Sequence, residues 1–370
     1  MSANKPPFDG EWVEFLDAFE EVSRRARKIK QKDYLPSGLY PIVDQGQSDV
    51  AGYANEQTGL YVDVPAIVFG DHTRCVKYMD VPFFIGADGV KILKPKLSDD
   101  VRYWWHALRA IPIEGLGYSR HYKLLKEACV RSYSLDMQIS IRWKLDSVLL
   151  EIDRAEQCLA MLDTLVKSRF VEMFGDPTVE HDGWPYETIG NVCQVITGNT
   201  PSRKDEANYG DSIEWCKTDN ITDARYLTRA AESLSEAGAQ RGRIAPAGSV
   251  LMACIAGSIK TIGKVAINDR PVAFNQQINA LIPMDGLSVD YLLWALRLSK
   301  DYLCSDVNMQ LKGILNKSAL SAKRFAIPPL ALQQEFAAFV AEVDKSRFIV
   351  QQKIEKLQTL YDSLAQEYFG

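Results

Sequence analysis

Between residues 141 and 166, apolar side chains fall at Ile141, Leu145, Val148, Ile152, Ala155, Leu159, Leu162 and Val166, with steps that alternate four and three. That spacing is a heptad seam, the apolar stripe of a long helix. Adding 195 to each number gives Phe336, Val340, Val343, Arg347, Val350, Ile354, Leu357 and Tyr361, apolar everywhere except Arg347. Neither run contains proline or glycine before a closing Phe-Gly, at Phe174-Gly175 and Phe369-Gly370. The pattern predicts two helices of roughly 33 residues, each about 50 Å long. A stripe of that length needs cover. The two helices can pair, antiparallel because the roughly 150 residues between them let the chain return, or each can lie on its own globular block as ordinary core. We assign Leu145, Ile152, Leu159, Leu162, Val340, Ile354 and Leu357 to helix pairing.

The rest of the chain also repeats. YWWHALR at 103–109 and YLLWALR at 291–297 share four of seven positions. In the same order, DGEW at 9–12 faces DGW at 182–184, AIVF at 66–69 faces SVLM at 249–252, and PFFIGADGVKIL at 82–93 faces PVAFNQQINALI at 271–282. Agreement in order marks an internal duplication more strongly than any single match. Short strand-like runs such as LYVDVPAIVFG (60–70) and GSVLMACIAG (248–257), broken by Gly and Pro and followed by one helix, read as mixed blocks. The predicted class is α+β: two similar mixed domains at 1–134 and 176–329, with long helices at 135–175 and 330–370 forming an antiparallel coiled coil about a pseudo-twofold repeat. The aromatic residues of YWWHALR are expected to face the core.

Composition narrows the classes. Hydrophobic residues make up 46% of 370, enough for sizeable cores, and no run of about 18 apolar residues predicts a membrane span. The first dozen residues, MSANKPPFDGEW, lack the apolar core of a signal peptide. Seven scattered cysteines without a CxxC pair read as reduced, buried thiols in a cytoplasmic protein. The net charge of −5 argues against a protein that coats nucleic acid. Residues 11–21 nevertheless carry five acids, and RRARKIKQK (24–32) carries six bases. Acid first and base last suits the dipole of a solvated helix; the alternative is that the basic run approaches phosphate.

A search for catalytic spacing finds none that decides a reaction. There is no GxxxxGK[ST] loop, no GxSxG elbow, and no NPPY or DPPY adenine-pocket signature, and Gly115-Leu116-Gly117 lacks both a preceding strand and a third glycine. The histidines at 72, 106, 121 and 181 are dispersed. Asp71-His72 reads as a polar loop at a strand end in preference to an acid–base pair.

Three stretches of the second half, TGNTPSRKDEANYGDSIEWCKTDNI (197–221), GSVLMACIAGSIKTIGKVAINDRPVAFNQQINALIP (248–283) and RFAIPPLALQQEF (324–336), resemble the specificity subunit of Type I restriction–modification systems. In the first half, YPIVDQGQSDVAGY (40–53), PAIVFGDHTRCVKY (65–78) and PFFIGADGVKILKPK (82–96) are similar to the family's other target-recognition module, and SRFVEMFGDP (168–177) to the end of its central helix. The resemblance covers nearly the whole chain. One departure stands out: Ile327-Pro328-Pro329-Leu330 has no counterpart in RSYSLDMQIS (131–140), where only Leu135 and Gln138 match at the 195 offset, which predicts a differently shaped first junction.

The resemblance implies a non-catalytic subunit that recognises bipartite double-stranded DNA, one half-site per module. It implies docking of two modification (methyltransferase) subunits, which carry S-adenosylmethionine, and of restriction subunits that translocate and cut. This chain would bind no cofactor or metal itself. Base and phosphate contacts need Arg, Lys, Asn, Gln, Ser or Thr at exposed loops. The candidates are Lys30, Lys32, Thr73, Arg74, Arg120, His121 and Lys123 in the first module, and Thr200, Ser202, Arg203, Lys204, Lys217, Asn220, Lys260, Thr261 and Lys312 in the second. Two other readings stay open: a coiled-coil scaffold with two protein-binding domains, and an enzyme with an unrecognised site.

Overall fold

The computed structural model describes residues 10–370 except 87, 88, 99, 116, 118, 259, 306 and 308–312. The chain divides into two compact units, residues 1–157 with 351–370 and residues 158–350. The long helices run Leu135–Phe174 and Leu330–Phe369, 40 residues each. They exceed the roughly 33 residues predicted because turns continue past both ends of the seam. The same offset of 195 relates both starts and both ends, so the absence of the two prolines does not move the first junction.

What both junctions share, with or without the prolines, is a buried glutamine. In the first unit the Gln138 amide donates to the Tyr133 carbonyl (2.8 Å) and its carbonyl accepts from Ser98 Oγ (2.6 Å). In the second, Gln333 donates to the Pro328 carbonyl (2.7 Å) and accepts from the Ser288 amide (2.7 Å). Each glutamine thus closes the chain five residues before it onto the segment that leads into the preceding helix, Val101–Ala110 or Val289–Leu298. Those two helices carry the repeated heptapeptide, and their tyrosines act alike. The Tyr103 hydroxyl donates to the Arg131 carbonyl (2.5 Å) and that of Tyr291 to the Ala326 carbonyl (2.6 Å), acceptors again 195 residues apart. Tyr103, Trp104 and Trp105 are buried, as the sequence predicts.

Each unit is α+β, and the sheets repeat. The first unit has a four-stranded antiparallel sheet ordered Phe19–Glu21, Val90–Pro95, Ala66–Gly70, Val76–Met79; the second orders Cys193–Thr197, Ile278–Pro283, Val250–Ala253, Val265–Ile267 in the same way. A further sheet in each is built on a parallel central pair, with Ile42 opposite Phe84 and Trp215 opposite Ala273. Its edge strand differs, Lys28–Ile29 running parallel to its neighbour and Ile244–Ala245 antiparallel. A two-stranded ribbon closes each unit, Glu11–Glu14 with Cys129–Ser132 and Tyr186–Thr188 with Arg324–Ala326.

The seam is buried toward the outer part of each helix stretch and half-buried at Leu159, Leu162, Val350, Ile354 and Leu357, and each stretch packs both on its partner stretch and on its own block. In the first unit Leu145, Val148 and Ile152 share a core with Tyr361, Ala365, Tyr103 and Trp104, with Ile354 and Leu357 against it. In the second, Val166, Phe170 and Phe174 share one with Phe336, Val340, Val343 and Tyr291, with Leu162 against it. Polar contacts show the antiparallel sense within each unit: Lys144 reaches the Tyr368 hydroxyl and Glu151 reaches Lys353, while Asp163 pairs with Arg347 and Arg169 with Glu335. Arg347, the polar exception in the seam, is thereby matched by a carboxylate.

Two expectations are corrected. Residues 11–32 form no single helix; they break into the strands Glu11–Glu14, Phe19–Glu21 and Lys28–Ile29 with short helical turns between. The Val22 amide donates to the Ile92 carbonyl and the Ile92 amide to Ser23 Oγ, so sheet pairing overrides a local helical charge pattern. Nor are all the thiols buried. Cys193, Cys216 and Cys254 are, and burial pushes each up to about 12, but Cys129 and Cys158 are exposed.

Candidate nucleic-acid interface

In the first unit the hairpin between Ala66–Gly70 and Val76–Met79 organises five of the candidates. Its turn places Arg74 at φ +63, a left-handed conformation that costs an arginine roughly 1 kcal/mol or more. The Thr73 hydroxyl donates to the Gln45 carbonyl (2.5 Å) and the Arg74 guanidinium to the Ile113 carbonyl (2.8 Å). The Asp71 carboxylate accepts from the Tyr122 amide (2.7 Å), and its carbonyl accepts from the His121 amide (2.8 Å) with His121 Nδ1 at 3.0 Å. Arg120 and Lys123, which flank that anchor, are exposed. His121 is only 1% exposed, so it holds the loop to the hairpin and does not face solvent, contrary to its place among the candidates. The His72 ring contacts the Ser119 carbonyl (3.2 Å), so both members of Asp71-His72 serve this loop.

Lys30 and Lys32 lie apart from that group. With Arg27, Lys28 and Asn55 they line a hollow of about 510 Å³, in which Arg27 is paired with Glu56 (2.7 Å).

In the second unit, Gly198 opens the candidate loop. A Cβ at that position would overlap the carbonyl oxygens of Phe274 and Asn275, so glycine lets the loop leave the sheet at close quarters. Asn199 pins the loop from within: its side chain donates to the Arg241 carbonyl and accepts from the Arg243 amide. The Thr200 hydroxyl then donates to Gln276 (2.5 Å), and Ser202 offers its carbonyl to Asn208. Arg203 and Lys217 converge on the Glu232 carboxylate, which their hydrogen bonds hold below its usual range, and both stack near the Trp215 ring at 5.2 Å. Lys204 is exposed and has no ion pair among the described residues. Asn220 is 9% exposed and turned inward, accepting from the Lys217 amide and donating to the Arg229 carbonyl, so its sequence assignment as a contact residue is corrected to that of a turn anchor. Lys312 lies outside the described residues.

Lys260 belongs to a different place, a hollow of about 610 Å³, and the half-buried Thr261 follows it in the chain without lining that hollow. Lys167, Lys264, Arg297 and Lys300 join Lys260 there, and none of them is among the sequence candidates for DNA contact. The hollow's carboxylates are already engaged, Asp223 with Lys264 (2.9 Å) and Asp163 with Arg347 (2.8 Å). The one available signal was Arg297 itself, which ends the repeated heptapeptide. Its counterpart Arg109 lines a hollow of about 570 Å³ with Thr73 and Arg74 in the first unit.

Large apolar side chains also stand exposed along the long helices: Trp143 (65%) and Leu150 in the first unit, Met161, Val171, Phe348 (63%) and Ile349 in the second. No group of His, Cys, Asp and Glu among the described residues has the arrangement of a metal site, and no described helix is long and apolar enough to cross a membrane.

Residues 181–359 match the family model for the Type I restriction modification DNA specificity domain. The chain is 33% identical over 117 residues to the specificity subunit of the Type I restriction enzyme HindI from Haemophilus influenzae, a match that covers 31% of this chain and 25% of that protein. It is 23% identical over 330 residues to the EcoR124I/EcoR124II specificity subunit of Escherichia coli, covering 79% of this chain and 76% of that one. In fold it is similar to the crystal structure of the Type I restriction–modification S subunit from M. genitalium (TM-score 0.55, 12% identity, 100% of this chain and 98% of the other). The chain is thus similar to the specificity subunits of Type I restriction–modification systems, by the domain model in its second half and by the Escherichia coli relative over most of its length.

Proposed function

We propose that this chain is the DNA-recognition part of a Type I restriction–modification assembly, reading an asymmetric, bipartite duplex with one half-site per unit. One observation carries the reading: the two units share fold, sheet order and anchoring hydrogen bonds, yet present different polar loops, Thr73–Lys77 with Arg120–Lys123 in one and Thr200–Lys204 with Lys217 in the other. A duplicated scaffold with divergent loops suits a ligand whose backbone repeats while its bases differ.

In this reading the chain catalyses nothing and acts in the cytoplasm. Two adenine methyltransferase subunits, each supplying S-adenosylmethionine, dock along the long helices, where Trp143, Leu150, Met161 and Phe348 offer apolar side chains unusual on a free surface. Restriction subunits join that complex. Selection of bound duplexes from a random pool tests the reading, using the full chain with its co-purified partners. A split consensus with a fixed gap is expected. A pool that emerges unenriched would support a scaffold that binds only proteins.

A further inference from the structure

The hollows ending at Arg109 and Arg297 share three parts, to which the second adds Asp163 and Lys167 of a long helix and Lys300. In the first unit the wall comes from the loop after strand Tyr40–Val43 (Gln47, Asp49), the end of a hairpin (Thr73–Lys77) and the close of the repeated helix (Trp105, Arg109). In the second it comes from the loop after strand Tyr209–Cys216 (Thr222, Asp223), the connection before Val265–Ile267 and the close of the other repeated helix (Trp294, Arg297). Few of these residues are alike, yet both hollows are rich in cations.

From this we infer that the two hollows are paired seats for backbone phosphates of duplex DNA, one per unit, contributing affinity without sequence choice. The inference rests on the DNA-recognition reading above. Four observations support it. In the second hollow both carboxylates are already paired, which leaves exposed Lys167 and Lys260 with no ion pair among the described residues. Arg297 is fixed by its bonds to the Ala224 and Val265 carbonyls, and the Arg109 guanidinium by Trp105 at 4.5 Å and Tyr361 at 5.2 Å, so both bring charge at little conformational cost. The indole N–H of Trp294, in the wall of the second hollow, is buried without an acceptor among the described residues, an orphan donor of the kind that a bound ligand or water satisfies. Arg74 holds a strained left-handed backbone at the rim of the first, and such strain concentrates at binding sites.

The test is the salt dependence of duplex binding by the full chain, alone and with its co-purified partners, on two unrelated 30-base-pair sequences. The variants are Lys167→Gln with Lys260→Gln for the second hollow and Arg74→Asn, a residue that tolerates the left-handed backbone, for the first. Each seat lost should lower the slope of log K against log salt by about 0.9, roughly an eightfold smaller loss of affinity per decade of salt, equally on both sequences. Lys→Arg at 167 and 260 should restore it. An unchanged slope, or a loss confined to one sequence, overturns the phosphate seats while leaving DNA recognition standing. A wild-type chain whose duplex binding is insensitive to salt in both forms removes the DNA reading and the seats together.

Discussion

His106 Nε2 lies 2.9 Å from a carboxylate oxygen of Asp146, and the other ring nitrogen lies 2.9 Å from the Tyr361 hydroxyl. One fully buried imidazole therefore ties the repeated helix to both long helices of the first unit. Burial holds it below its usual 6.5, an effect that Asp146 opposes and that the charges of Arg102 and Arg109 reinforce. The unfolded chain takes up a proton near pH 6.5 that the native chain resists, so stability should fall as pH drops below about 6.5. Denaturant midpoints at pH 8 and pH 5.5 check this. His106→Gln, which keeps hydrogen-bonding capacity without the titration, should flatten the profile; parallel profiles would contradict the assignment.

Gln138 and Gln333 should have equal structural weight. Replacing either by alanine strands buried backbone carbonyls and should cost about 1–3 kcal/mol in urea unfolding, against near-neutral substitutions at exposed glutamines such as Gln351. A cost below about 0.5 kcal/mol at Gln138 alone would show that the first junction is held by other means.

Apolar packing, not charge, should dominate the helix pairing. Leu145→Ala empties a fully buried seam position and should cost about 2–5 kcal/mol. Arg347→Gln breaks a pair with Asp163 whose partners are 34% and 54% exposed and should cost about 1 kcal/mol or less. Thermal or urea unfolding of the two variants that ranked them the other way would overturn this account.

The long helices were legible because a seam held from 141 to 166 and again from 336 to 361 outweighs local noise, and the YWWHALR and YLLWALR turns were legible because both pack the same tyrosine onto an equivalent carbonyl. The segment at 11–32 was not, since its pairing with Val90–Pro95 comes from residues some 70 positions away. His121 and Asn220 look like surface groups in sequence, but each is spent on a turn that only the fold brings about. Lys167, Lys264 and Arg297 meet in one hollow from three distant stretches, a grouping that no local pattern encodes.

Gly198→Ala should affect binding more than folding. The new Cβ would push the Asn199–Lys204 loop off the sheet edge at Phe274 and Asn275, displacing Thr200 and Arg203. Duplex affinity should drop about tenfold or more, while the unfolding midpoint of the second unit, which holds Gly198, falls only slightly. Unchanged affinity would remove that loop from the interface.

The most direct test of two units reading two half-sites is a genome-wide map of adenine methylation in the native host, with the gene intact and deleted. The account predicts the loss of one split motif, methylated on both strands, with two unlike halves and a fixed gap. A methylation pattern that is the same with and without the gene would contradict it.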